Sequence, residues 1–296
     1  MNSITKEPAI KKGWLRAVLI IIPFFIVSVI FQALGAFIWA TISNDNILEV
    51  FKNISQIPTL GFLIIQAFST FGTLLIIWIF TRFIDRKKMI DLGFSFQKRT
   101  KDILYGLLAG FIMMGAGSLI LYFSGNLTFD SITFNLIGLA QSVVLFTLVS
   151  INEEVFVRGY LLRNFMVSMS RYAALILSSL VFMALHLMNP NLSLVGLTNI
   201  FLAGLLLGIG YIFTKNLWFP LALHFSWNFF QGPIFGFEVS GTKSETLISQ
   251  TINGNEMLTG GQFGFEGSIL ATVLCSLGIV LFWMVYKKQD VLSTTN

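Results

Sequence analysis

The sequence predicts an all-α polytopic membrane protein of eight transmembrane helices with the N-terminus and C-terminus both cytoplasmic, and three observations predict it. Of the 296 residues, 55% are apolar and only 11% are charged, and the mean hydropathy is +0.80, whereas a soluble domain carries roughly 25% charge. Uncharged or nearly uncharged stretches long enough for a helix to cross a ~30 Å hydrocarbon core recur along the chain. With the N-terminus inside, 17 of the 19 basic residues fall in or beside the cytoplasmic connections, where Lys and Arg are retained.

The spans are expected near 17–42, 58–81, 103–124, 134–157, 172–188, 193–213, 217–236 and 266–286. Lys6, Lys11, Lys12 and Arg16 lead into the first, whose apolar run exceeds the 7–15 residues of a typical signal h-region, so it reads as an anchor. Lys52 and Lys243 alone fall outside. The longest cytoplasmic connection, Arg82 to Asp102, mixes basic residues with Phe94 and Phe96 and suits either an interfacial segment or a solvated loop. In the third and sixth spans Gly106/Gly110 and Gly204/Gly208 have the spacing that lets helices approach closely. Residues 237–264, rich in Gly, Ser, Thr and Asn, read as a flexible extracytoplasmic loop. Asn-x-Ser/Thr triplets at Asn53, Asn126 and Asn191 lie outside and matter only in a host that glycosylates. No segment between spans is long enough for a separate core, so residues 1–296 form one integral membrane domain with a catalytic core at about 134–236. The single cysteine, Cys275, excludes an internal disulfide and a cysteine-built metal site. The net charge of +5 serves insertion and contact with anionic membrane lipid, not nucleic acid.

Ionised groups are costly within a bilayer and mark function there. Glu153, Glu154 and Arg158 end the uncharged run of the fourth span, and the only histidines, His186 and His224, lie in apolar segments. The fourth and fifth spans form an antiparallel hairpin turning at Val167–Arg171, so residues whose numbers are symmetric about the turn share a depth. Glu153 and His186 average to 169.5 and should face each other. His224 lies about 10 Å into the seventh span and Asn228 one turn deeper, which brings all four groups together in the cytoplasmic half. Glu154 and Arg158 share a helix face and pair, although such a pair taken alone is equally an ordinary helix-stabilising ion pair. A carboxylate and an imidazole that polarise a water, with a second imidazole and an amide to hold an oxyanion, suggest hydrolysis of an acyl bond, most simply a peptide. Asn189, Asn191 and Asn199 could line the cavity or cap helices. Trp227 could wall a substrate groove or simply pack.

The strings Glu153-Glu154-x-x-x-Arg158, Phe182-x-x-x-His186 and His224-x-x-x-Asn228 resemble the three ordered motifs of the CPBP intramembrane proteases, the CAAX prenyl protease and bacteriocin-processing (Abi) family. The resemblance covers about Asn152 to Asn228. It implies an intramembrane endopeptidase in which Glu153 activates water with His186 assisting, Glu154 is a second essential carboxylate, and His224 with Asn228 stabilises the oxyanion. Arg158 is then a structural support that fixes Glu154, and Phe182 packs beside the site.

Family members are commonly labelled metalloproteases, and Glu153, His186 and His224 could hold a catalytic zinc with one open position. No His-Glu-x-x-His string occurs, and the same residues work without metal, which is the reading preferred here; no other cofactor is expected. Two further classes stay open. A secondary transporter would show repeated halves, which are not visible. A non-enzymatic membrane scaffold or bacteriocin-immunity protein of the same fold would tend to lose motif residues that this chain keeps. The expected partners are membrane lipid and a peptide or lipidated protein substrate. Phe-rich spans flanked by Lys and Arg place the protein in a bacterial cell membrane, as a multi-pass protein.

Overall fold

The computed structural model describes residues 7–52 and 57–294; Lys6 and Asn53 lie outside the described residues. The chain opens with α1 (Gly13–Leu19), α2 (Ile21–Ser43) and a short α3 (Ile47–Lys52), then α4 (Thr59–Ile79), which ends in a π turn at Phe80–Ile84. Next come α5 (Thr100–Phe123), strand β1 (Leu127–Ile132) and α6 (Leu136–Glu154), which runs through a π-helical segment, Val155–Leu162, into α7 (Arg163–Ser168). The chain continues with α8 (Arg171–Leu185), α9 (Leu194–Thr214), and α10 (Trp218–Phe229) with a π turn at Phe230–Ile234. After β2 (Ile248–Ile252) and the single turn α11 (Glu256–Thr259), α12 (Ile269–Thr294) closes the bundle.

Among the described residues six helices are long and apolar enough to cross a membrane: Gly13–Ser43, Thr59–Ile84, Thr100–Phe123, Leu136–Ser168, Leu194–Thr214 and Ile269–Val291. The other two expected spans are helical but shorter. α8 has 15 residues and α10 has 12, about 22 and 18 Å at 1.5 Å per residue. α8 stops at His186 just before Asn189-Pro190-Asn191, where Asn191 takes φ 57°, and a proline cannot continue a helix. Pro233 sits in the π turn that ends α10. Both interruptions fall beside the candidate catalytic residues.

The bundle is not purely helical. β1 and β2 pair antiparallel, Leu127 opposite Ile252 through Ile132 opposite Ile248, with a bulge between Phe129 and Ser131. Each strand lies alone in a different connection, so neither connection carries a hairpin signal. This pairing ties part of the loop read as flexible to the start of α6.

Close helix approaches set the position of the core. A Cβ on Gly106 would lie 2.7 Å from Ala222 Cβ, and one on Gly110 2.6 Å from Ser226 Cβ, both on α10. Across the same seam the Ser226 hydroxyl donates to Leu107 O at 2.6 Å. A Cβ on Gly204 would meet Ser179 Cβ of α8 at 2.9 Å. The glycines thus hold α10 on α5 and α9 on α8, fixing the helices that carry His224 and His186. Every residue of Val155–Leu162 is buried, and Phe156 stacks on Phe24 at 3.6 Å. At that end of the bundle Arg16 and Asp85 form a buried ion pair. The Arg82–Asp102 connection packs against the bundle, since Leu92 O accepts from Tyr211 Oη at 2.8 Å and Ser95 O from Asn216 Nδ2 at 2.7 Å.

The seam between α5 and α10 yields a test. Gly110→Ala puts a methyl inside van der Waals contact with α10, and overpacking of that kind costs about 1–3 kcal/mol. Gly115→Ala, whose Cβ would meet nothing nearer than 3.9 Å, gains helix propensity instead. Thermal unfolding of the solubilised protein should fall for the first variant and hold or rise for the second.

Candidate active site

α6 ends on its two glutamates, and they face different surroundings. Glu154 is fully buried. Its Oε1 accepts from Arg158 Nη1 at 2.9 Å, one turn along the chain, and from His224 Nδ1 at 2.8 Å on α10. The Arg158 guanidinium donates from Nη2 to Gly204 O of α9 at 3.0 Å and lies 4.4 Å from the centre of the Phe182 ring on α8. One carboxylate and its arginine therefore join α6, α8, α9 and α10.

Glu153 turns toward a cavity of about 680 Å³ that His186, His224, Asn228, Phe182 and Trp227 also line. Its Oε2 lies 3.7 Å from His186 Nε2 and 3.9 Å from His224 Nε2 and has no hydrogen-bond partner in the protein. Both gaps exceed a direct hydrogen bond and suit one solvent molecule touching all three groups.

The tautomers follow from the partners. His186 Nδ1 lies 2.8 Å from Phe182 O. A carbonyl only accepts, so Nδ1 carries the hydrogen and Nε2 offers its lone pair to the cavity. His224 Nδ1 donates to the Glu154 carboxylate in the same way, which leaves its Nε2 facing Glu153. Phe182 does more than fill space: it supplies the carbonyl that orients His186 and the ring under Arg158. Asn228 is largely buried and lies one turn beyond His224 on the cavity wall.

The sequence-predicted residues fall into two groups. Glu153, His186, His224 and Asn228 line the cavity, whereas Glu154 and Arg158 stand behind His224. Asn189, Asn199 and Trp227 line it as well. Asn199 is also a brace, donating to Glu266 O at 2.8 Å and Ser268 O at 2.7 Å and accepting from Thr272 Oγ1 at 2.7 Å.

Sequence reasoning missed Glu266 and Ser240, which come from the connection between α10 and α12. The Glu266 carboxylate lines the cavity, interacts electrostatically with both imidazoles, and holds the backbone N–H and the hydroxyl of Ser240. The signal available was a lone acid among Phe and Gly at the threshold of the last span. Gln32 of α2 and Gln66 of α4, single amides in apolar helices, line the opposite wall. Ser240, Thr242 and Lys243 of the connection between α10 and α12 also line the cavity.

Glu153, His186 and His224 were the candidate zinc ligands. Among the described residues no group of three or more His, Cys, Asp or Glu side chains is arranged to hold a metal ion.

The family model for Rce1-like, type II CAAX prenyl endopeptidases matches residues 135–230. Over this segment, about a third of the chain, the protein is similar to the CAAX prenyl endopeptidases. The matched segment runs from the start of α6 into the π turn after α10, so it contains all three motifs and every catalytic candidate named from sequence. No curated protein and no solved structure matches the chain. Within the matched segment the site is built from three helices, while α2, α4 and the connection before α12, outside the match, also line the cavity.

Removing the partner of Glu154 and neutralising Glu153 should have opposite effects on stability. Removing one partner of a buried ion pair typically costs 3–5 kcal/mol, so Arg158→Met should lower the unfolding midpoint sharply. Glu153→Gln removes a charge whose Oε2 has no protein partner and should leave the midpoint unchanged or raised. Equal losses in the two variants would contradict this division.

Proposed function

We propose that the protein is an intramembrane endopeptidase of the CAAX protease type, which hydrolyses a peptide bond in a membrane-associated or lipidated peptide. The observation that carries this reading is the convergence of His186 Nε2 and His224 Nε2 on one oxygen of Glu153, at 3.7 and 3.9 Å, in the wall of a cavity large enough for a peptide segment.

The chemistry follows from who carries which proton. Glu153 takes a proton from water while the bare His186 Nε2 accepts that water's second hydrogen bond and aims its oxygen. The nucleophile attacks the scissile carbonyl carbon, and the carbonyl electrons move onto oxygen. Asn228 Nδ2–H donates to that oxyanion. His224 joins it as imidazolium, its Nε2–H directed into the cavity while Glu154 holds Nδ1–H. Collapse of the tetrahedral intermediate expels the amine, which takes the proton from Glu153. Side chains alone complete the cycle, with general acid–base work of this kind contributing about 10²–10⁴-fold.

Eight spans with both termini in the cytoplasm complete the reading, α8 and α10 being the two shorter members, in a multi-pass protein of a bacterial membrane. The substrates in keeping with the cavity are peptides or lipidated proteins that reach it from the membrane.

The decisive comparison is the membrane peptidome of cells carrying the intact protein and Glu153→Ala. Products present only with the intact protein are expected. If the Glu153→Ala protein sustains every phenotype of the parent and no peptide differs, the protein is a scaffold or immunity protein on the same fold. Cleavage by the purified enzyme should also survive zinc chelation; stoichiometric zinc whose removal abolishes cleavage would replace the side-chain mechanism.

A further inference from the structure

A second pocket, of about 380 Å³, lies at the other end of the molecule, where α4 loosens into its π turn. It is lined by Trp78, Thr81, Arg82, Lys87, Lys88 and Met89, and neither the catalytic chemistry nor the family match at 135–230 involves it.

Three observations bear on its occupant. Arg82, Lys87 and Lys88 bring three cations to one small pocket, and none of them forms an ion pair among the described residues. The nearby acids are engaged: Asp85 pairs with Arg16, and Asp91 accepts from the Lys88 backbone N–H at 3.0 Å. Lys87 also feels the positive charges of Arg163 and Arg16; partial burial first, then Arg163, push its ammonium below its usual range. The pocket therefore holds more positive charge than its own acids offset. Thr81 is 1% exposed and its hydroxyl has no hydrogen-bond partner, although a helical threonine ordinarily donates to a carbonyl one turn back, as Thr41, Thr147 and Thr214 do here. Finally, Trp78 is half exposed at the end of an apolar span, the position at which tryptophans meet lipid headgroups.

We propose that this pocket is a binding site for a phosphate group, held by Arg82, Lys87 and Lys88 with the Thr81 hydroxyl as a further donor. A guanidinium and two ammonium groups match phosphate oxygens in charge and donor number. Basic pockets beside membrane helices on the side rich in Lys and Arg bind anionic headgroups, and the π turn gives the pocket its room: such wide turns are frequent at functional sites. The ligand is a phosphodiester headgroup of an anionic lipid or a soluble phosphate compound.

The test uses the full-length protein in neutral detergent. Unfolding midpoints are measured with added phosphatidylglycerol, phosphatidylcholine and glycerol 3-phosphate, for the parent, for a triple variant Arg82→Gln, Lys87→Gln, Lys88→Gln, and for a charge-matched variant Lys98→Gln, Lys101→Gln, Lys288→Gln. Phosphatidylglycerol should raise the parent's midpoint by several degrees beyond phosphatidylcholine. The charge-matched variant should keep that difference and the triple variant lose it. A shift with glycerol 3-phosphate as well identifies a soluble phosphate compound as a ligand; a shift with the lipid alone identifies a headgroup. Should the triple variant not fold, Thr81→Val and Lys87→Gln are examined singly by the number of phosphatidylglycerol molecules retained in native mass spectrometry, which should fall by one. No preference for phosphatidylglycerol in the parent, or a preference that the triple variant or both single variants retain, overturns the proposal.

Discussion

The arrangement of this membrane bundle depends on one buried carboxylate. Glu154 has no exposed surface, and its Oε1 holds two hydrogens, one from Arg158 and one from His224. An ionised carboxylate taken out of water is tolerable only when paired and hydrogen-bonded, so the arginine and the histidine must be where they are. Arg158 in turn reaches Gly204 O and lies over Phe182, and the Phe182 carbonyl orients His186. One chain of contacts thus runs from the end of α6 to both imidazoles of the cavity wall. The division of labour between adjacent glutamates is its consequence: Glu154 is saturated and rigid, and Glu153, about 100° around the helix, is left facing the cavity with an oxygen free to take a proton.

This dependence accounts for the local irregularities. The π segment Val155–Leu162 carries Arg158 in its first turn and is buried throughout, so the widened helix lies where four helices meet around the guanidinium. α8 ends at His186, which is its C-cap residue; a longer α8 would continue past the cavity and take up the space where residues 186–193 return. α10 sits tightly on α5 because Gly106 and Gly110 admit it. A side chain at either glycine would push away the helix that bears His224, and the Glu154 contact at 2.8 Å could not be kept. The short helices and the bare glycines are therefore conditions of the site.

Much of the site was legible because helices convert spacing into geometry. The symmetry of Glu153 and His186 about the turn placed them at one depth, and they lie 3.7 Å apart. The four-residue step from Glu154 to Arg158 put both on one face, and they bond at 2.9 Å. What spacing cannot carry is rotation between helices. His224 and Asn228 share a face wherever α10 is turned, so nothing in the sequence said that His224 would give its Nδ1–H to Glu154 and thereby orient the ring. The count of full-length spans came out as six because apolar content marks α8 and α10 as membrane-like without revealing where Pro190 and Pro233 shorten them. The pairing of β1 with β2 joins segments about 120 residues apart, and each alone looks like loop.

The connection between α10 and α12 shows why composition misleads at such a site. Its Gly, Ser and Thr content reads as flexibility, yet Gly264 at φ 97° and Gly260 at φ 89° let the backbone make turns that other residues take only under strain. Those turns bring the Glu238 carbonyl to Gln231 Nε2 at 2.7 Å and the Ser240 hydroxyl to Glu266 at 2.8 Å. Asn199 grips the same turn from α9 through the carbonyls of Glu266 and Ser268. The glycines thus serve a fixed shape: they wrap a short chain over the cavity and set a second carboxylate in its wall, within electrostatic reach of both imidazoles. Glu153, Glu266 and the two imidazoles together concentrate hydrogen-bond acceptors in the cavity wall. Among the described residues, the one lysine or arginine in its wall is Lys243, whose side chain is 84% exposed and lies 3.8 Å from Glu238. The field inside is accordingly set by acids, which disfavours an anionic occupant by the same Coulombic reasoning that sets Arg158 beside Glu154.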